Sequence, residues 1–321
     1  MVITGIPDAG ALRQAGLDYL CLAWEDLIGV LEGSESYAEL QTTVEEGREP
    51  LDQNLAEEHR QRAARRVATC SSLVHQGVEF LLKARISELS PFLLFDSVSQ
   101  WPGDAAAHDT DFSEFRTVDA QFLPRIHDTV CTTRLPEDFK QRLQVIRRRR
   151  NAATHGLSSS LLSVEEMLRD ILEIASALVG RASWPRIRRE YEASAPAPWA
   201  DYHGAVPASL MREWERMLKL LTPSECLRHL GLDKKQRKYA CPYCHAIDLR
   251  PEPAIKLAVL TPNTPESTKL YCLVCDGTVT VVRSACVSCP GKVLDEGGGC
   301  LSCEYCPPME PGTDEPPSGD S

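Results

Sequence analysis

Nine of the 13 cysteines in this 321-residue chain fall between Cys241 and Cys306, most of them as pairs two residues apart. That spacing places thiolates on tight turns, as a structural metal requires, whereas a disulfide framework belongs to short secreted chains. Residues 1–10 have neither the basic start nor the apolar stretch of a signal peptide, and nowhere do about 18 apolar residues run together. The expectation is a cytoplasmic protein with reduced thiols and no membrane association. Cys21, Cys70, Cys131 and Cys226 lie in apolar, helix-like contexts and read as reduced core residues.

Cys241-Pro-Tyr-Cys244 and Cys272-Leu-Val-Cys275 are two knuckles separated by 27 residues of strand character, the form of a zinc ribbon. A second set follows in Cys286-Val-Ser-Cys289 and Cys300-Leu-Ser-Cys303. Because Cys303-Glu-Tyr-Cys306 is also a pair, Cys300 or Cys306 can complete this second site; Cys300 with Cys303 is preferred. All-thiolate sites of this kind are closed and structural, so the expected cofactor is two structural zinc ions per chain. So small a module has little core of its own, and metal binding would supply much of its folding free energy.

The region before the cysteine pairs is helical. Residues 11–31 carry Leu17, Leu20, Cys21, Trp24, Leu27 and Ile28 at helical spacing, and a polar loop is expected at 33–50. A second long helix covers 57–89, stopped by Pro91. An irregular, Asp-rich connection at 91–115 is expected to cover a site. Helices then run over 117–131 and 136–157, and Ser163 with Glu166 forms a capping box opening the helix that ends near Gly180. Amphipathic segments at 207–221 and 222–231 lead to a basic hinge of Lys234, Lys235, Arg237 and Lys238.

These patterns predict a mainly α protein: a helical bundle over 11–185, a helical extension and hinge over 186–239, two small β zinc-ribbon modules over 240–306, and a disordered acidic tail over 307–321. Residues 240–321 hold 5 basic and 11 acidic side chains, leaving 30 and 35 for the rest, so neither part is globally basic. The five tryptophans are scattered and read as core or interface residues, not as a base-stacking platform.

One helix breaks its own pattern. Over 136–157 the apolar seam reads Phe139, Leu143, Ile146, then Ala153 and Leu157, and the position between is Arg150. A lone charge facing a core costs several kcal/mol, on the order of a buried ion, so something must compensate it. Asn151 and His155 stack on one face, roughly 100° and 140° around from Arg150. Arg147 and Arg148 fall within that arc, and Arg149 points away. No carboxylate occurs between Asp138 and Glu165, so that flank wants an anion. A solvated arginine run is the plainer reading, but it does not require an arginine in the seam.

Arg150-Asn-Ala-Ala-Thr-His155, late in a helix of an all-α domain, resembles the Arg-x4-6-His signature of HEPN domains, and Gly77-Val-Glu-Phe-Leu-Leu-Lys83 resembles a pattern of some HEPN-like bacterial proteins. The resemblance implies an antiparallel bundle, often a homodimer with the motifs facing across the two-fold axis, and metal-independent RNA cleavage by a toxin or defence component. On it, Arg150 would neutralise the scissile phosphate, Asn151 orient it, and His155 act as general acid or base, the ribose 2′-OH being the nucleophile. Arg147, Arg148 and Lys83 would add substrate contacts, and Glu79, four residues before Lys83, would hold an active-site side chain or simply pair with Lys83. Leu157 stands where family variants regulated by nucleotidyl transfer carry tyrosine. The alternative is a non-catalytic adaptor that binds a protein partner through its zinc ribbons while its helical domain dimerises.

Overall fold

The computed structural model describes residues 3–45, 53–97, 109–154, 163–194, 205–245 and 255–303. The molecule is mainly helical, with small sheets. In chain order the elements are β1 (Ile3–Thr4), α1 (Ala9–Glu45), α2 (Gln53–Ser87), β2 (Thr110–Asp111), α3 (Leu123–Val130), α4 (Glu137–Thr154), α5 (Val164–Leu178), α6 (Trp184–Ser194), α7 (Ala205–Leu220), α8 (Pro223–Glu225), α9 (Pro242–His245), β3 (Ala258–Leu260), β4 (Lys269–Cys272) and β5 (Thr278–Thr280). They form two compact units, residues 1–191 with 224–231, and residues 192–223 with 232–321. No helix among the described residues is long and apolar enough to cross a membrane.

In the first unit α1 and α2 pack along their length, with Leu20, Cys21, Trp24 and Leu27 buried against Val74, Val78, Leu81 and Leu82. Two glycines set their separation. A Cβ built on Gly77 would lie 2.7 Å from Leu20 Cδ2 and 3.0 Å from the Gly16 carbonyl oxygen, and one on Gly16 would lie 2.9 Å from Leu81 Cγ. α5 closes the core with Leu168, Ile171, Leu172 and Ile174, and Trp24 meets Trp184 edge-on at 5.2 Å. Trp24, Trp184 and Trp214 are core residues; Trp101 and Trp199 lie outside the described residues.

The polar composition of 33–50 misleads, because α1 continues to Glu45. Gly33 lets the helix approach His59 on α2, Ser34 bonds back to the Val30 carbonyl at 2.9 Å, and Tyr37 stacks on His59. The helix expected from 117 begins at Leu123 instead. Its first residues are extended, because the Val118 N–H donates to the Leu94 carbonyl at 2.8 Å and Thr117 bridges Phe95. Ser163 caps α5 by accepting from the Glu166 N–H at 3.3 Å, while the Glu166 carboxylate is taken by Arg149.

Cys21, Cys70 and Cys226 are buried and Cys131 is half-buried, all as free thiols. Burial pushes the Cys21 and Cys70 thiols up to about 12, which keeps them protonated. In the second unit, Trp214 and Met217 of α7 are buried, and β3, β4 and β5 form an antiparallel sheet pairing Ala258 with Cys272 and Leu270 with Val279. The basic stretch at 234–238 is anchored, with Lys234 donating to the Leu221 carbonyl and Lys238 to the Lys234 carbonyl. The acidic tail and Cys306 lie outside the described residues.

Candidate functional site

Glu137 and Asp138 occupy the first turn of α4, where acidic side chains suit the exposed N–H groups. Phe139, Leu143 and Ile146 bury its apolar stripe. Beyond Ile146 the four consecutive arginines have four different fates, decided by what each one meets.

Arg149 pairs with Asp170 and Glu166 of α5, and Arg142 Nη1 reaches the other oxygen of Asp170 at 2.6 Å. Burial raises the Asp170 carboxyl above the usual carboxylate range, against the pull of Arg149 and Arg142. The carboxylates that α4 lacks beyond Asp138 are thus supplied by α5, and this side of the helix is a satisfied ion network. Arg148 is exposed. Arg147 Nη2 donates to Gln121 Oε1 at 2.9 Å.

Arg150 differs from all three. Its Nε is buried with no hydrogen-bond partner among the described residues. An unsatisfied buried donor costs about 1–3 kcal/mol, more when charged. The side chain lines a cavity of about 280 Å³ between α2, the 117–121 segment and α4, shared with Arg147, His75, Glu79, Asp119 and Gln121. The seam position that grease should fill therefore opens onto a polar hollow within one chain. His75 lowers its affinity for a proton there: burial comes first, the Arg150 and Arg147 charges add to it, and Glu79 opposes them.

Lys83 is held by Glu79 at 2.8 Å and by Thr117 Oγ1 at 3.4 Å, so it braces two groups of the cavity wall without being among the described residues that line it. Arg148 and the half-buried Asn151 are likewise not among those lining residues. His155 lies outside the described residues, as do residues 98–108 of the Asp-rich connection. Of the residues expected at the site, the cavity brings together Arg150, Arg147 and Glu79. It adds His75, Asp119 and Gln121, which sequence reasoning missed. His75 had a visible signal, since with Glu79 and Lys83 it repeats every four residues along one face of α2.

The cysteines form two separate clusters, Cys241, Cys244, Cys272 and Cys275, and Cys286, Cys289, Cys300 and Cys303, each with its sulfurs within 4.8 Å of one another. Sulfur pairs stand 3.8 Å apart at Cys241–Cys275, 3.9 Å at Cys244–Cys272, and 3.7 Å at both Cys286–Cys303 and Cys289–Cys300. That is far beyond a disulfide, and it matches the edge of about 3.8 Å that Zn–S bonds of about 2.3 Å impose on a tetrahedron. The Ser288 and Gly291 N–H groups donate to Cys286 and Cys289 Sγ at 3.3 and 3.2 Å, as thiolate ligands favour. A Cβ on Gly291 would come within 2.9 Å of Cys289 Sγ, so the turn needs a glycine. The residues present fit a tetrahedral metal at both clusters. In the first cluster Cys244 lies on α9 and Cys272 ends β4, with Cys241 just before α9 and Cys275 just after β4, and the cluster is mostly buried, while Cys303 of the second is exposed.

No protein-family model, curated protein or solved structure matches the chain. The functional reading therefore rests on the geometry of these sites.

Proposed function

We propose that the chain is a metal-independent endoribonuclease of HEPN type, a toxin or defence component acting in the cytoplasm, in which two structural zinc ions organise the cysteine-rich modules for binding a protein partner. The observation that carries the proposal is the Arg150 guanidinium, whose buried Nε lacks a partner among the described residues at the wall of a polar cavity. A phosphate oxygen supplies the missing acceptor and neutralises the charge, and Arg147 at the same wall adds a second cation.

In this mechanism Arg150 holds the scissile phosphate, the adjacent ribose 2′-OH attacks phosphorus, and His155 exchanges the proton as general acid or base. Asn151 orients the substrate, and Arg148 and Lys83 contribute to its electrostatic attraction. The chain acts as a homodimer, with the two motifs near the two-fold axis. The eight cysteines would hold zinc, which supplies folding free energy and no chemistry on RNA.

Purified protein incubated with RNA and EDTA is expected to cleave it, and Arg150→Ala and His155→Ala each to abolish cleavage with the fold retained by circular dichroism. Cleavage unchanged in both variants refutes the reading. A second reading, a non-catalytic adaptor, draws on Tyr243 and Val287, which stand 66% and 84% exposed inside two of the cysteine pairs. A protein that leaves RNA intact but binds a partner in a Tyr243- and Val287-dependent way satisfies that reading instead.

A further inference from the structure

We propose that His75 is the general base of this reaction, removing the 2′-OH proton while Arg150 holds the phosphate; the inference rests on the ribonuclease reading above. His75 is 8% exposed, and its accessible surface belongs to the same cavity that Arg150 lines from the opposite helix. Among the described residues no hydrogen bond engages its ring. A largely buried imidazole normally has one nitrogen tied to a carbonyl or carboxylate, so a ring with no partner among the described residues, beside an arginine whose buried Nε has none among them either, points to a ligand that supplies partners for both.

The charged groups facing it are Arg150 and Arg147 from α4, Glu79 from its own helix and Asp119 from the 117–121 segment. The two arginines and the burial disfavour an imidazolium, so the ring is neutral near pH 7 and able to accept a proton. A substrate phosphate bound at Arg150 brings a compensating negative charge, which stabilises the imidazolium as it forms.

The step balances without a co-reactant. A His75 ring nitrogen takes the 2′-OH proton as the 2′-oxygen bonds to phosphorus. The bond from phosphorus to the 5′-oxygen then breaks, and the leaving oxygen takes a proton from a second group, the role assigned to His155. The products are a 2′,3′-cyclic phosphate and a 5′-hydroxyl, and His75 returns its proton to solvent.

The test uses the full chain, a single-stranded RNA oligonucleotide with a mapped cleavage site, and single-turnover conditions. His75→Asn is expected to slow cleavage by about 10²-fold or more, with affinity for the same oligonucleotide made 2′-deoxy at the cleavage site changed less than about threefold. The wild-type second-order rate constant at subsaturating concentrations, which reports the free protein, should fall on the acid side with an apparent pKa below the ordinary histidine value of about 6.5, and this limb should vanish in His75→Asn and His75→Gln. An oligonucleotide whose 5′-oxygen leaving group is replaced by sulfur needs no acid, so it should rescue His155→Ala and fail to rescue His75→Asn. Rescue of His75→Asn by sulfur, a rate within tenfold of wild type, or an unchanged acid limb overturns the assignment. If Arg150→Ala and His155→Ala abolish cleavage while His75→Asn does not, only this inference falls; if the wild type leaves RNA intact, both fall.

Discussion

Arg142 Nη1 sits 2.6 Å from Asp170 Oδ1, and Arg149 occupies the carboxylate's other oxygen. Asp170 is almost wholly enclosed, so deleting its carboxylate strips Arg142 of this partner and leaves Arg149 with Glu166 alone. Asp170→Ala should lower unfolding free energy by about 3 kcal/mol, at the low end for breaking a buried pair because Arg142 is partly solvated. Arg150→Ala, which removes an orphaned donor, should cost under about 1 kcal/mol. Urea unfolding of the two variants checks the contrast.

Gly77 gives the opposite of what helix propensity predicts. Alanine in a helix interior normally gains about 1 kcal/mol over glycine. Here the new methyl meets Leu20 at 2.7 Å and the Gly16 carbonyl at 3.0 Å, so Gly77→Ala should be net destabilising by about 1–3 kcal/mol. Thermal melting followed by circular dichroism reads the sign directly.

Elemental analysis of reduced protein should find about two zinc ions per chain, from one tetrahedral site per cluster. Cys272→Ser and Cys286→Ser should each lose one, because the two clusters share no ligand. Chelation should lower thermal stability, since the metal sites stand in for a core in so small a module. Finding no zinc would refute the assignment.

His127 is fully enclosed and its Nε2 has no partner among the described residues. Burial lowers its pKa, Arg85 adds to that, and the bond to Asp128 opposes it. Because the fold holds the ring neutral, the unfolded chain binds more protons once pH drops through about 6.5. Stability should therefore fall on acidification from about 6.5 and level off below the folded pKa, and His127→Gln should flatten that slope. Asp128 acts in a separate window. Burial raises its pKa, but bonds from the Leu135 N–H, Lys140 and His127 outweigh this and lower it. Its contribution is present at neutral pH and is lost only below about pH 4. Unfolding free energies between pH 7 and 3 separate the two.

The features legible in the sequence were those encoded locally. Cysteine spacing announced both clusters, period-3.6 stripes announced the first part of α1 and α4, and Ser163 with Glu166 announced the start of α5. What spacing does not carry is a meeting across the chain. The polar run after Gly33 reads as a loop until His59 of α2 lies beside it, and 117–122 reads as helix until Leu94 and Phe95 take its backbone. Arg149 and Arg150 are adjacent and chemically identical. Only the positions of Glu166 and Asp170 on α5 make one a structural tie, and the Nε of the other has no partner among the described residues. His75 escaped for the same reason, its relation to Arg150 being a product of packing between α2 and α4.

The Gly16–Gly77 notch lies two residues from His75, on the helix that also carries Glu79 and Lys83. The glycines thus act as a vernier for the cavity. Sliding α2 along α1 by one helical turn, about 5.4 Å, would carry the imidazole past the guanidinium it faces, so selection on the site is also selection on two residues that have no side chain to contribute to it.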